Sequence, residues 1–284
     1  MSINVPINMY KGKYFKKNKI HKGKKVIVFD MDETIGSFID LEILWKLTQI
    51  YSKNKKINFN QLLDLYPEFL RYGIISILEY LHIQKKNKKF HKLYIYTNNQ
   101  GGPNWVQMII DYIDYKLNTT NLFDQVINTF MINDIQIEPN RTTMDKTHDD
   151  FINCAMLPSN TSILFVDDKN YQQMKKDKIY YIQPKPYIHH MTTHDIANRF
   201  IYSNLTYFLL DNDIKKQNFK SLFITESMKY NIFKSVHDIN INLEEDILIS
   251  RKIMYHLKEY LLFLNKKNKT YKKRSLQSRF TRKR

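Results

Sequence analysis

Short apolar runs that end in carboxylates or hydroxyls constrain this chain more than any other feature. Lys25-Val-Ile-Val-Phe-Asp30 is rich in β-branched residues and stops at an acid. A run apolar at every position, not at alternate ones, suits a strand buried on both faces, as in a parallel sheet. Leu93–Thr97 and Ser162–Asp167 repeat the pattern, Ile179–Ile182 is a shorter fourth strand, and Gln125–Met131 reads as another. Between them, helical spacing predicts helices over Asp40–Tyr51, Gln61–Ile83 (with a turn around Pro67 and Gly73), Trp105–Leu117 and Lys146–Met156. Strands alternating with helices in this way indicate an α/β fold with a parallel sheet. Asp195–Leu210 and Leu243–Leu264 predict a helical C-terminal extension.

In parallel α/β sheets, ligands gather outside the carboxyl ends of the strands. Three such ends carry polar residues here: Asp30 and Asp32 on the first, Thr97 on the second, Asp167 and Asp168 on the third. Two carboxylate pairs from neighbouring strands make a dense negative pocket. Like charges at close range raise each other's pKa, so the pocket calls for a cation. Hard oxygen donors select Mg²⁺, which also accepts a phosphate oxygen. One Asp could then attack phosphorus and form an aspartyl-phosphate, while a second protonates the leaving oxygen.

The same residues carry a family resemblance. Asp30-Met-Asp32-Glu33-Thr34 resembles the DxDxT motif of the haloacid dehalogenase (HAD) superfamily. Thr97 matches its second motif, Lys146 suits the Lys of the third, and Asp167-Asp168 match the acidic fourth. Arg141 and Lys169 compete with Lys146 for the third position. The resemblance covers residues 24–200. It implies a HAD-type Rossmann-like parallel sheet flanked by helices, with Asp30 as nucleophile and Asp32 as general acid and then base. It also implies Mg²⁺ held by Asp30, the backbone carbonyl of Asp32 and a fourth-motif carboxylate, Asp167, with Asp168 ligating directly, through water, or orienting Lys146. Thr97 and Lys146 would bind phosphoryl oxygens.

Asp-x-Asp-Glu-Thr is similar to the form in FCP/SCP-like (NLI-interacting-factor-like) phosphatases, which act on phosphoserine in proteins, including the RNA polymerase C-terminal domain. The stretch from Tyr66 through Arg71 to Gly73 resembles their Arg-Pro-Gly helix entry, with Tyr72 where Pro is usual. Asn98-Asn99-Gln100-Gly101-Gly102-Pro103 departs from them and is similar to polynucleotide 3′-phosphatases of the same superfamily. Lys146-Thr-His-Asp-Asp-Phe and Tyr181–His189 look like FCP-like proteins of large DNA viruses. The implied substrate is a phosphoprotein or a phosphorylated nucleic acid. The rival class is a non-catalytic HAD-fold module that docks on nucleic acid or polymerase.

Charge placement sets the outer boundaries. Residues 1–29 hold eight Lys and residues 266–284 ten Lys or Arg, with no acid in either, so against a net charge of +17 the rest sums to −1. Blocks of like charge stay solvated or contact a polyanion. The expected organisation is a basic arm over 1–23, a phosphatase-like domain over 24–200 with a helical cap at 35–90, a helical extension over 201–265 and a disordered basic tail over 266–284. A lone cysteine, Cys154, excludes an internal disulfide and reads as a buried small hydrophobe. No apolar run reaches the ~18 residues of a membrane span, and the start lacks a secretory h-region. These point to an intracellular protein of cytoplasm or nucleus, with the virion added by the viral resemblance. His189, His190 and His194 read as surface or capping residues in preference to a metal cluster, and Trp45 and Trp105 as core residues.

Overall fold

The computed structural model describes residues 7–16, 24–52, 57–230, 232–238 and 242–280, as backbone only beyond residue 262. β1 (Ile7–Lys11) and a helical turn, α1 (Lys13–Lys16), precede β2 (Lys25–Phe29). α2 (Ile39–Tyr51), α3 (Phe59–Asp64) and α4 (Ile74–Lys86) lead to β3 (Lys92–Tyr96), and α5 (Pro103–Lys116) leads to β4 (Gln125–Ile127). A small hairpin, β5 (Met131–Ile132) and β6 (Ile135–Gln136), comes before α6 (His148–Cys154). β7 (Ser162–Val166) and β8 (Ile179–Pro184) complete the sheet, followed by α7 (Thr193–Ile201), α8 (Asp213–Lys229) and α9 (Leu243–Phe280).

The main sheet has the order β1-β8-β7-β2-β3-β4. All its pairings are parallel except that of β1 on β8. This is a mixed α/β, Rossmann-like architecture: a mostly parallel sheet flanked by helices, with a helical C-terminal extension. From β2 the chain moves through β3 and β4 to one side, then returns to build β7 and β8 on the other. The order therefore reverses between β2 and β7, and the crevice outside their carboxyl ends is where such folds place a ligand.

Period-two alternation explains why the central strands are apolar throughout. Ile27, Phe29, Ile95, Leu164 and Val166 face the larger core, shared with α2–α5 and α7–α9. Val26, Val28, Tyr94, Tyr96, Ile163 and Phe165 face a thinner layer under α6, where Phe151 and Cys154 pack. Cys154 is buried as expected, its thiol pushed up to about 12 first by loss of solvent. Trp105 is buried and Trp45 packs against the same core, with Phe59 edge-on to both rings.

The C-terminal helices belong to this core. Ile249, Ile253, Leu257 and Tyr260 of α9 are buried in it. Burying each such side chain contributes about 1.5–3 kcal/mol. The Tyr260 hydroxyl sits 3.1 Å from the Ser162 carbonyl and 3.4 Å from that of Val26, at the starts of β7 and β2. One apolar cluster thus crosses the expected boundary near residue 200.

Several expected elements differ. The strand expected to reach Met131 stops at Ile127, where the Asn128 carbonyl is taken by the Arg141 side chain instead of a ladder partner. The helix expected to reach Leu210 ends at Ile201, and a 3-10 turn follows at Asn204–Thr206. Part of the basic arm, residues 7–11, is an ordered edge strand, because β8 offers it a free ladder. Residues 1–6 and 17–23 of that arm lie outside the described residues. In place of a disordered tail, the backbone of α9 continues through the basic segment to Phe280. Lys, Arg, Leu and Gln there are good helix formers. Residues 281–284 lie outside the described residues.

Candidate active site

Asp30, Thr97 and Asp167 each sit one step beyond a strand that still holds them by the backbone. The Asp30 N–H donates to the Val166 carbonyl at 2.9 Å, that of Asp167 to Ile182 at 3.1 Å, and that of Thr97 to Ile127 at 3.0 Å. The ladders therefore set the spacing of the three loops before any side chain acts.

The loop after β2 is a tight turn. Glu33 takes a left-handed φ of 58°, which costs a non-glycine residue about 1–2 kcal/mol. Its neighbours over-determine it. The Glu33 N–H donates to Gly36, and its carbonyl accepts from the Tyr187 N–H and the Arg71 guanidinium. Arg71, fully buried, also donates to the carbonyls of Thr34 at 2.6 Å and Lys185 at 2.9 Å. The sequence placed Arg71 at a helix entry only; its contact with the Asp30 loop arises 37 residues away.

The carboxylates converge. Oxygens of Asp30, Asp167 and Asp168 lie within 4.8 Å of one another, all three residues buried. The Lys146 ammonium donates to Asp30 Oδ1 and, at 2.7 Å, to Asp167 Oδ2. Thr34 Oγ1 accepts from the Asp168 N–H at 3.0 Å and donates to Asp168 Oδ1 at 2.9 Å, with Asp30 Oδ2 further off at 3.4 Å. Asp32 stands apart from this trio at the mouth, where its Oδ2 accepts from Asn99 Nδ2 at 2.9 Å. Thr97 is fully buried and its Oγ1 accepts the Asn99 N–H at 3.0 Å.

The rivals of Lys146 are elsewhere. Arg141 holds backbone carbonyls and Asn98, and its guanidinium makes no ion pair among the described residues. Lys169 lines the cleft outside, and its N–H donates to Asp167 Oδ1 at 2.9 Å. Asn99 joins Thr97 to Asp32, and its Oδ1 accepts the Gly101 N–H at 2.8 Å. Its partner lies 67 residues away, so no local signal announced it. Among the described residues, His189, His190 and His194 belong to no group that could hold a metal. His189, expected at the surface or as a cap, is buried, pairs with Asp40 at 2.7 Å and accepts the Met191 N–H, while His190 pairs with Asp246.

Crowding shows in the protonation of the cluster. Burial and then the Asp30 charge push Asp168 up to about 6 and Asp32 up to about 7. Burial also raises Asp167; the Lys146 ammonium opposes this, and Asp30 reinforces it. Burial works against the charge on Lys146, but Asp167 and Asp30 together hold its pKa above the usual value. Three carboxylates face one ammonium, an imbalance that one divalent cation would cancel. Asp168 Oδ2 is buried with no hydrogen-bond partner, as a ligand atom awaiting a cation would be. An all-oxygen donor set of this kind fits a hard cation such as Mg²⁺.

Outside the trio a cleft of about 590 Å³ opens, lined by Asp32, Glu33, Phe38, Asn99, Gln100 and Lys169 among others. Ile39, Glu42, Ile43 and Lys46 of α2 form one wall. No helix among the described residues is long and apolar enough to cross a membrane.

The fold and site define a Rossmann-like α/β protein with a buried acidic centre suited to a cation at its topological switch point. No protein-family model matches the chain. No curated protein matches it. Among solved structures, the HAD domain of effector protein Lem4 from Legionella pneumophila is similar at a TM-score of 0.38 and 14% identity, covering 70% of this chain and 99% of that one.

Proposed function

We propose that the chain is a Mg²⁺-dependent phosphatase working through an aspartyl-phosphate on Asp30. The observation that carries this reading is Lys146 bridging Asp30 and Asp167 inside a buried acidic trio. Asp30, Asp167 and Asp168 would hold the metal, joined by the backbone carbonyl of Asp32. A bound Mg²⁺ supplies positive charge for the phosphoryl oxygens. Asp30 attacks phosphorus as the ester oxygen leaves, and Asp32 gives that oxygen a proton. Asp32, now ionised, takes a proton from water, which attacks the aspartyl-phosphate and frees phosphate. A pKa near 7 suits Asp32 to both halves of the cycle. Lys146 holds Asp30 in place and offsets its charge, and Thr97 binds a phosphoryl oxygen. Such chemistry needs little beyond in-line placement and charge neutralisation.

The substrate proposed is phosphoserine or phosphothreonine in a protein, of the RNA polymerase C-terminal-domain kind, and the basic ends are proposed to contact a polyanion. A second reading, a polynucleotide 3′-phosphatase, draws on Asn99 and Gln100 standing at the cleft mouth. Turnover of a phosphoserine peptide and a 3′-phosphorylated oligonucleotide separates the two. Preference for the peptide is expected, and equal or reversed preference refutes the protein substrate. Asp30→Asn should abolish phosphate release while the fold survives. Full activity in that variant, or activity that survives complete chelation of divalent ions, overturns the mechanism.

A further inference from the structure

Arg141 is a large cation buried to 1% exposure without a carboxylate partner among the described residues. Burying such a charge is costly unless its donors are satisfied. Both Nη atoms find acceptors, from three separate places, while the buried Nε finds none among the described residues. Nη1 donates to the carbonyls of Thr97 at 3.1 Å and Asn128 at 2.7 Å, just beyond β3 and β4. Nη2 reaches Asn98 Oδ1 at 2.8 Å and the carbonyls of Met144 at 3.0 Å and Asp145 at 3.2 Å. The guanidinium also lies over the Tyr96 ring, 4.8 Å from its centroid.

The consequence falls on Lys146. On its N-terminal side the Asp145 carbonyl is held by Arg141. On its C-terminal side the Thr147 N–H donates to the Tyr96 hydroxyl at 3.3 Å, and Thr147 caps α6. Lys146 itself lies on no strand or helix, so these contacts fix where its chain begins. Its ammonium must end between Asp30 and Asp167.

We infer that Arg141 is a positioning residue, whose planar fork locks the loop carrying Lys146 to the strand end carrying Thr97. This rests on the phosphatase reading for its effect on turnover, but not for its effect on Lys146. A lysine at 141 keeps the charge but lacks the fork and cannot reach both sets of acceptors.

The test uses the full chain with Arg141→Lys and, as a second variant, Arg141→Ala with added guanidinium ion. Acylation of individual lysines by an N-hydroxysuccinimide ester is followed by mass spectrometry, beside steady-state turnover of a phosphomonoester. In the parent, Lys146 should resist acylation. In Arg141→Lys it should be modified at least about tenfold faster, with Lys85 unchanged as an internal control. The turnover number should fall about a hundredfold, the scale of a 1 Å misplacement, with KM moving far less. Guanidinium should restore both protection and turnover to Arg141→Ala. Unchanged Lys146 acylation in a folded Arg141→Lys, or absence of rescue in folded Arg141→Ala, overturns the inference. A parent chain without phosphatase activity would sink the functional proposal, and the acylation result would still decide the role of Arg141.

Discussion

Lys146→Met removes the ammonium that pairs with two carboxylates of the acidic trio while nearly preserving side-chain length. Lys146 is 1% exposed and contacts two carboxylates, Asp30 and Asp167. Breaking a buried pair from one side costs about 3–5 kcal/mol, because the remaining charge stays buried. For a chain of 284 residues, an unfolding entropy of about 2.1 cal/mol/K per residue converts that loss to a fall in Tm of about 5–8 °C. Two conditions should shrink the deficit. Lower pH should, because Asp167, whose pKa burial already raises, can then carry a proton and relieve the repulsion. Saturating Mg²⁺ should too, because the variant's trio is more negative than the parent's. The assay is thermal unfolding of parent and variant with chelator and with Mg²⁺. A metal-free Tm within about 1 °C of the parent, or a Mg²⁺-induced gain no larger than the parent's, would refute the view of Lys146 as the trio's counter-charge.

Three further outcomes follow from other contacts. Asp168→Asn keeps an oxygen to accept from Thr34 but loses the charge, so Mg²⁺ affinity measured by calorimetry should fall about 10–100-fold. Glu259 is held by Lys11, Tyr180 and His256; burial alone would raise its pKa, but these hydrogen bonds hold it down to about 2. A lowered folded pKa gives stability that is present above about pH 4.5 and lost as pH falls towards 2. Glu259→Gln should therefore cost about 1 kcal/mol in urea unfolding at pH 7, a modest value because the pair is partly open to solvent, and the gap should narrow below about pH 4.5 and close only as pH falls through about 2. Removing residues 266–284 should weaken DNA binding and flatten its salt dependence; equal slopes for both chains would leave the segment no part in polyanion contact.

The site was legible where the signal is local. β2, β3, β7 and β8 are apolar runs that stop at Asp30, Thr97, Asp167 and after Ile182, and both layers of the sheet demand such runs. What stayed hidden depends on partners far along the chain. Spacing favoured Lys146 over its rivals Arg141 and Lys169, but only the fold brings its ammonium to Asp30 across 116 residues. β1 is half-buried and edge-paired, so it shows neither alternation nor a full apolar run. α8 buries only Phe219, Phe223 and Ser227 and leaves Ile214 exposed, which blurs its helical stripe. The buried His189–Asp40 pair joins the loop after β8 to α2 over 149 residues and has no local signature.

The placement of Tyr260 bears on how the protein comes into being. Its hydroxyl meets a backbone group of residue 26, 234 positions earlier, at the opposite end of the sheet from the acidic trio. The Thr34–Asp168 link closes a loop of 134 positions. Contacts of such separation carry the entropy of closing long loops before they return any stability, so they form late and slowly. A ribosome that has released residues 24–200 has exposed every carboxylate of the centre, yet the apolar face awaiting α9 is still uncovered. Maturation of this protein is therefore tied to the synthesis of α9, and in refolding, cation binding should arise with the slowest phase, after most helical signal has returned.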